Sequence, residues 1–236
     1  MINLLLFVLF LATGNAGHRV HGIQRTLKED LDGQNSIYNP KVHTTDQISA
    51  SRLWVENADN KIEFGWHVAP KLYGNDGTYT YASWTVVHQD FHLGSLVNPT
   101  SIYGGVIMEF SIAISQDPVT KNWWLNIDNE GFGYFPATLF SNLGSANKVG
   151  WGGYSITPPG TTSPQTGSGY FPDDDFEHSC YFRYMSFQDS ARQDFGPKTD
   201  MVDKTNDKSN CYGVDFYGDQ KGEVGISMQF GGPGGN

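Results

Sequence analysis

Lys61-Ile62-Glu63-Phe64-Gly65-Trp66-His67-Val68, the run KIEFGWHV, alternates in hydrophobicity. Successive side chains of a strand point to opposite faces. Ile62, Phe64 and Trp66 therefore share one face, which reads as core, and Lys61, Glu63 and Gly65 share the other. Glu63 stands on that polar face beside a glycine, which leaves room above the sheet. The ordinary reading of such a residue is an exposed Glu on a solvated face. The other is a carboxylate held in a site. Glu109, in Met108-Glu109-Phe110, carries the same ambiguity.

Similar runs fill the chain from Val42 onward: YTYASWTVV, GGVIMEFSIAIS, NWWLNI, VGWGGYSI, CYFRYMSF and GISMQF. Turn formers separate them, such as Gly74-Asn75-Asp76-Gly77, Asn129-Glu130-Gly131 and Pro158-Pro159-Gly160. Aromatic and β-branched residues suit pleated surfaces, and Gly, Asn, Asp and Pro suit turns. The pattern predicts an all-β fold, an antiparallel β-sandwich with one short helix. That helix is expected over 136–143, opened by Pro136 and closed by Gly144. A chain of 236 residues is long enough for one such domain. Its net charge of −10 argues against binding to nucleic acid or anionic membrane.

The apolar run INLLLFVLFLA is too short to span a bilayer and has the length of a signal-peptide core. Gly14 and Ala16 supply small residues for cleavage. Residues 1–16 are thus read as a signal peptide, 17–40 as a polar leader and 41–236 as the domain. The protein is expected to be secreted, free of the membrane after cleavage, and monomeric. In an oxidising compartment Cys180 and Cys211 would pair as a disulfide, with two buried free thiols as the alternative. Pro99 blocks the one glycosylation sequon, at Asn98. No metal site and no cofactor is expected. His88 and His92 follow a strand-like run, where four-apart residues lie well separated. Asp173-Asp174-Asp175 lacks the alternating spacing of a calcium loop. Gly167-Ser168-Gly169 reads as a turn rather than a nucleophile elbow.

An ordered set of segments carries a resemblance. It runs from Gln47-Ile48-Ser49-Ala50-Ser51-Arg52-Leu53-Trp54-Val55 through Ile62-Glu63-Phe64-Gly65-Trp66 and Pro70-Lys71-Leu72-Tyr73-Gly74. It continues in Asn122-Trp123-Trp124-Leu125, Gly133-Tyr134-Phe135-Pro136, Trp151-Gly152-Gly153, Cys211-Tyr212 and Gly231-Gly232-Pro233-Gly234. From about Tyr38 to Asn236 the chain resembles the plant neprosin family, secreted glutamic peptidases that cleave near proline. The resemblance implies two catalytic glutamates. The Glu of Ile-Glu-x-Gly-Trp matches Glu63. The Glu that follows Trp-Gly-Gly is here Tyr154. The family's cysteine pair near 88–102 is absent, and a short leader stands where a long pro-region is implied.

The first departure, Tyr154, bears on chemistry. A two-carboxylate peptidase needs one group to take a proton from water and another to return protons as the intermediate collapses. A tyrosine, with a reference pKa of ~10, is a poor shuttle at acidic or neutral pH. Loss of one acid–base group costs ~10²–10⁴-fold in rate. Glu109 or Glu130 could replace the missing acid, or Tyr154 could polarise the scissile carbonyl while Glu63 activates water. The resemblance thus implies a peptidase weakened or silenced by Tyr154, acting on a peptide or proline-rich protein. The alternative is a non-catalytic member that binds peptide or cell-wall polymer in the same groove. Trp66, Trp84, Trp151, Gly152 and Gly153 are expected to form that groove, and Trp123 and Trp124 are further candidates. Strict alternation puts Gly153 with Trp151 and Tyr154 with Gly152, unless the glycine pair marks a bulge.

Overall fold

Alternating apolar residues at period two can bury one face of a sheet, so two sheets must meet to bury both. In the computed structural model of the protein, residues 8–10, 16–24, 30–86, 89–92 and 94–235 are described, with side chains over 30–84 and 94–235. The strands are β1 (Val8–Phe10), β2 (Ala16–Gln24), β3 (Asp30–Ser36), β4 (Ile48–Asn57), β5 (Asn60–Val68), β6 (Thr78–Val86), β7 (Gln89–His92) and β8 (Glu109–Gln116). They continue with β9 (Trp123–Ile127), β10 (Glu130–Phe135), β11 (Lys148–Thr157), β12 (Cys180–Gln188), β13 (Asp194–Phe195), β14 (Val202–Asn206), β15 (Gly213–Asp219) and β16 (Ile226–Gly231). The first sheet has the order β1-β7-β6-β5-β4-β11-β2-β14. The second has the order β10-β9-β8-β3-β12-β16-β15, with β13 on β12. The predicted sandwich is therefore the observed one, and the described pairings are antiparallel.

One α-helix is described, the single turn α1 (Pro70–Tyr73). The helix expected at 136–143 is instead a 3-10 turn over Ala137–Leu139, and Phe140 is already extended. Its apolar residues do not need a helical stripe. Leu143 is buried, and its carbonyl accepts hydrogen bonds from Trp123 Nε1 at 2.9 Å and from Gln116.

The core lies between the sheets. Leu53, Ile62, Phe64, Trp66, Val149 and Trp151 enter it from the first sheet. Leu31, Ile112, Ile114, Phe182, Met228 and Phe230 enter it from the second. Two tryptophans also tie the sheets by hydrogen bonds. Trp66 Nε1 donates to the Ser36 carbonyl at 3.0 Å, and Trp151 Nε1 donates to the Asp32 carbonyl at 2.9 Å. Both acceptors belong to β3. A buried indole needs such a partner.

These bonds explain a departure from the sequence reading. Residues 30–36, placed in the polar leader, form β3, which lies between β8 and β12 in the second sheet. Only Leu31, Gly33 and Asn35 face inward, so the strand shows little apolar periodicity. Ala16–Gln24 is strand β2, between β11 and β14. Of the expected signal peptide, Val8–Phe10 is strand β1 on β7 and Ala16 opens β2, while 1–7 and 11–15 lie outside the described residues. No helix among the described residues is long and apolar enough to cross a membrane.

The expected disulfide is corrected: Cys180 and Cys211 are both free and buried. The Cys180 thiol donates to the Ser36 carbonyl and accepts from the Ser36 hydroxyl, both at 3.5 Å, rather than turning to Cys211. Burial pushes that thiol up to about 12.

Gly153 faces inward beside Trp151. A Cβ there would meet Phe230 and Thr166 at 2.8 Å each. Overpacking of this kind costs about 1–3 kcal/mol, so Gly153→Ala is expected to lower the urea midpoint by a corresponding amount with the m-value unchanged.

β3 also carries a carboxylate pair. Asp30 and Asp32 point outward, on the far face of the second sheet. Asp30 is pushed up to about 7, first by burial and then by Asp32. An acid raised in the folded state destabilises it as pH rises from the unfolded value near 4 to about 7. Asp30→Asn should thus raise stability at pH 8 by up to about 4 kcal/mol and leave it nearly unchanged at pH 4. Denaturant melts at the two pH values would check this.

Candidate active site

The outward face of the first sheet is built by register. Trp54 on β4 lies opposite Glu63 on β5 and opposite Gly150 on β11. Arg52 lies opposite Gly65 and Gly152, and Ala50 lies opposite His67 and Tyr154. On β6, Tyr81 pairs with Gly65 and Ser83 with Glu63. Glu63 and Tyr154 thus stand on one sheet face with β4 between their strands. Gly150 has a packing role here. A Cβ on it would reach 2.3 Å from the Trp54 indole, so only glycine lets that ring lie flat across β11.

Arg52 joins the two positions. Its guanidinium pairs with Glu63 Oε1, and Lys61 pairs with the same oxygen. The Arg52 Cζ also lies 4.2 Å from the Tyr154 ring centroid and 5.2 Å from that of Trp54. A desolvated guanidinium over a ring face is a favourable cation–π contact. Glu63 is only 8 % exposed and Arg52 5 %. Burial alone would raise the Glu63 carboxyl, but Arg52 and then Lys61 outweigh it and hold the group at about 2. Burial likewise opposes the Arg52 charge, and Glu63 overrides it and strengthens the cation. The pair contributes stability above the ordinary carboxylate range that is lost as pH falls through about 2.

A ladder of rings continues the face. His67 stacks on Tyr81 with centroids 4.4 Å apart, and its Nε2 hydrogen-bonds the Tyr73 hydroxyl at 2.8 Å. Tyr73 stacks in turn on Tyr79 at 3.6 Å. Burial, then the neighbouring Tyr154 and Glu63, push the Tyr81 hydroxyl well above its ordinary value. At neutral pH the phenols of this face are donors of hydrogen bonds rather than bases.

The expected groove changes with the geometry. Gly152 lies in the row of Arg52 on the outward face. Trp66, Trp84, Trp151 and Gly153 do not line it, because all four face the core. Trp123 is buried as well, and Trp124 is on the second sheet, its ring tilted against Tyr134. The reason is the alternation itself: Ile62, Phe64 and Trp66 cannot share the face of Glu63. The substitute acids fail on the same ground. Phe110, Ile112 and Ile114 point inward from β8, so Glu109 lies on the outer face of the second sheet. There it pairs with Arg183 and accepts from Tyr181 Oη at 2.6 Å. Glu130 is exposed at the start of β10, in that same sheet. The thickness of the sandwich separates Glu109 from Glu63, and Glu130 belongs to an edge strand of the other sheet.

Asp173 is tied to His178 at 2.8 Å on the surface. Among the described residues no group of three or more His, Cys, Asp or Glu could hold a metal ion. The side chains of His88 and His92 lie outside the described residues. Arg52, Lys61, Tyr81 and His67 were missed as site residues. Arg52 could have been found, because an Arg inside the strand run ISASRLWV must be paired if buried.

The family model described as neprosin matches residues 45–233. Among solved structures, scytalido-glutamic peptidase with a transition state analog inhibitor is similar in fold. It shares 6 % identity and a TM-score of 0.52, over 91 % of this chain and 97 % of that one. A structure of the peptidase with a peptide based transition state analog gives 7 % and 0.49, over 92 % and 97 %. A glycoside hydrolase family 16 endo-glucanase from Bacteroides ovatus gives 12 % and 0.36, over 64 % and 71 %.

Removing one partner of a buried pair leaves an uncompensated charge, which costs about 3–5 kcal/mol, whereas replacing both by apolar groups is near neutral. Glu63→Gln should therefore destabilise by that amount in urea melts. The double change Arg52→Met, Glu63→Leu should recover most of the loss.

Proposed function

The chain belongs to the neprosin family, and we propose that it is a secreted, peptidase-like domain that holds an extended peptide on the outward face of its first sheet without hydrolysing it. The observation that carries this reading is the state of Glu63. It is shared by Arg52 and Lys61 and held near 2. A general base works best when its pKa lies near the working pH. A carboxylate this acidic takes a proton from water only at high cost. Of the described residues, Glu56 on the same face is paired with Lys148, and Tyr154 occupies the second position and packs on Arg52.

What supports retained binding is the rest of the face. Tyr73, Tyr79 and Tyr154 are partly exposed, and the small Gly152 sits among larger neighbours. Rings of this kind suit proline, which buries an apolar ring against an aromatic face. Secretion rests on the apolar N-terminal run and its small-residue site. Cleavage after Ala16 would remove β1 and the first residue of β2.

The wild-type protein, incubated with a proline-rich peptide from pH 3 to 7 and followed by mass spectrometry, is expected to give no cleavage. Cleavage abolished by Glu63→Gln would overturn the reading. Tyr154→Glu alone should remain silent, since Arg52 would neutralise the new carboxylate as it does Glu63. Turnover is expected only when Arg52→Gln is added, which frees both carboxylates to share a proton.

A further inference from the structure

Four of the large apolar side chains left in water meet at one end of the sandwich: Ile102, Tyr103, Val106 and Tyr170. They come from two loops, 94–108 before β8 and 158–179 between β11 and β12. Backbone hydrogen bonds fix them. Ser101 N–H donates to the Ile37 carbonyl at 2.7 Å, Ile102 N–H to the Val106 carbonyl at 2.9 Å, and Gly104 N–H to the Glu177 carbonyl at 3.0 Å. The last bond clips the first loop to the second. Beside it the Tyr103 ring packs on Tyr170 at 3.9 Å and stacks on His178 at 4.6 Å. On the turn itself Ile102 is 64 % and Val106 68 % exposed. Aliphatic side chains held in water by a fixed turn, next to exposed rings, form the kind of patch that marks a protein contact. The fixed backbone also lowers the ordering cost of binding.

The two loops carry one sign of fixed charge. Neither contains a lysine or an arginine, and the second holds Asp173, Asp174, Asp175 and Glu177, all exposed. Its one base, His178, is engaged by Asp173 at 2.8 Å and by Asp175 at 3.7 Å. Among the described residues none of the four carboxylates pairs with a lysine or arginine. Charge complementarity then selects the occupant. A two-fold pairing of two copies would set this acidic rim against itself, and each copy carries a net charge of −10. Nucleic acid and anionic lipid meet the same repulsion. A chain bearing Lys or Arg is attracted, and its cations can also lie over the tyrosine rings.

We propose that this end of the sandwich docks a basic polypeptide. An apolar side chain of the partner seats on Ile102, Val106 and Tyr170, and its Lys or Arg groups meet Asp175 and Glu177. The apolar patch supplies the centre that loses its water and the carboxylates supply the charged rim, the division found in protein interfaces generally. The proposal does not depend on the peptide-holding reading, which concerns the outward face of the first sheet.

The test uses three fluorescent peptides of equal length, one of Lys and Leu, one of Lys and Ser, and one of Glu and Leu. Anisotropy is read at about 150 mM salt, where attraction beyond roughly 8 Å is screened. The Lys–Leu peptide should bind at least tenfold more tightly than either of the others. Ile102→Ser with Val106→Ser should remove that advantage, and so should Asp175→Asn with Glu177→Gln. All four side chains are exposed, so both double variants should keep the wild-type urea midpoint. Equal binding of the Lys–Leu and Lys–Ser peptides, or an advantage that survives either double variant, overturns the docking surface in favour of diffuse attraction to an acidic protein. Equal binding of the Glu–Leu and Lys–Leu peptides overturns the basic partner, and binding of none overturns the proposal outright. Sedimentation velocity on the wild type adds a further arm. A dimer dissolved by Ile102→Ser with Val106→Ser would make the occupant a second copy, which overturns the proposal as well.

Discussion

A charge taken out of water must be met by another, and the outward face of the first sheet is organised by that need. Glu63 is a buried carboxylate on a β-strand, and Arg52 on the next strand meets it. The consequences run outward from the pair. Arg52 needs its guanidinium faces covered, and Tyr154 and Trp54 cover them. Trp54 can lie flat because Gly150 beside it has no side chain. Lys61 joins because it precedes Glu63 by two residues and shares its face. An apolar surface of the same shape could be as stable. The ions are therefore not explained by stability alone.

The fold was legible because it needs only period two. Once KIEFGWHV is a strand, Ile62, Phe64 and Trp66 are core, and the same rule places Glu63 on the other face. Applied strictly, that rule already excluded Trp66 from a groove beside Glu63. The groove assignment failed by letting aromatic character override alternation. Tyr154 and Glu63 on one face were legible through the matched motifs. Arg52 was not, although it sits inside one of those motifs, because a sequence does not say which cation a buried acid will find across a register.

Other misreadings share one physical cause: a strand can be held by its backbone. β3 presents a single aliphatic side chain inward and still lies inside a sheet. Its neighbours supply ladder hydrogen bonds, and Trp66 and Trp151 donate to its carbonyls. Polar composition then looks like a leader. The cysteines were paired by compartment and count, yet each thiol is a small apolar filler in a sheet-to-sheet core. The 3-10 turn at Ala137–Leu139 shows the converse, since Leu143 is held by its burial and by hydrogen bonds to its carbonyl without a helix.

Arg52 alters how the tyrosine at position 154 is to be understood. If Tyr154 were the whole difference, Glu63 would stand in a site otherwise poised for proton transfer, and its carboxyl would be free to titrate in the acidic range. Instead it is locked as an anion by two cations, and the side chain at 154 is part of the lock, because its ring covers the guanidinium. The two changes support each other. A glutamate at 154 would bring a second negative charge to an arginine that already has one, while a tyrosine gives it an apolar cover. The acidity of Glu63 and the packing of the Tyr154 ring are then two consequences of one buried guanidinium.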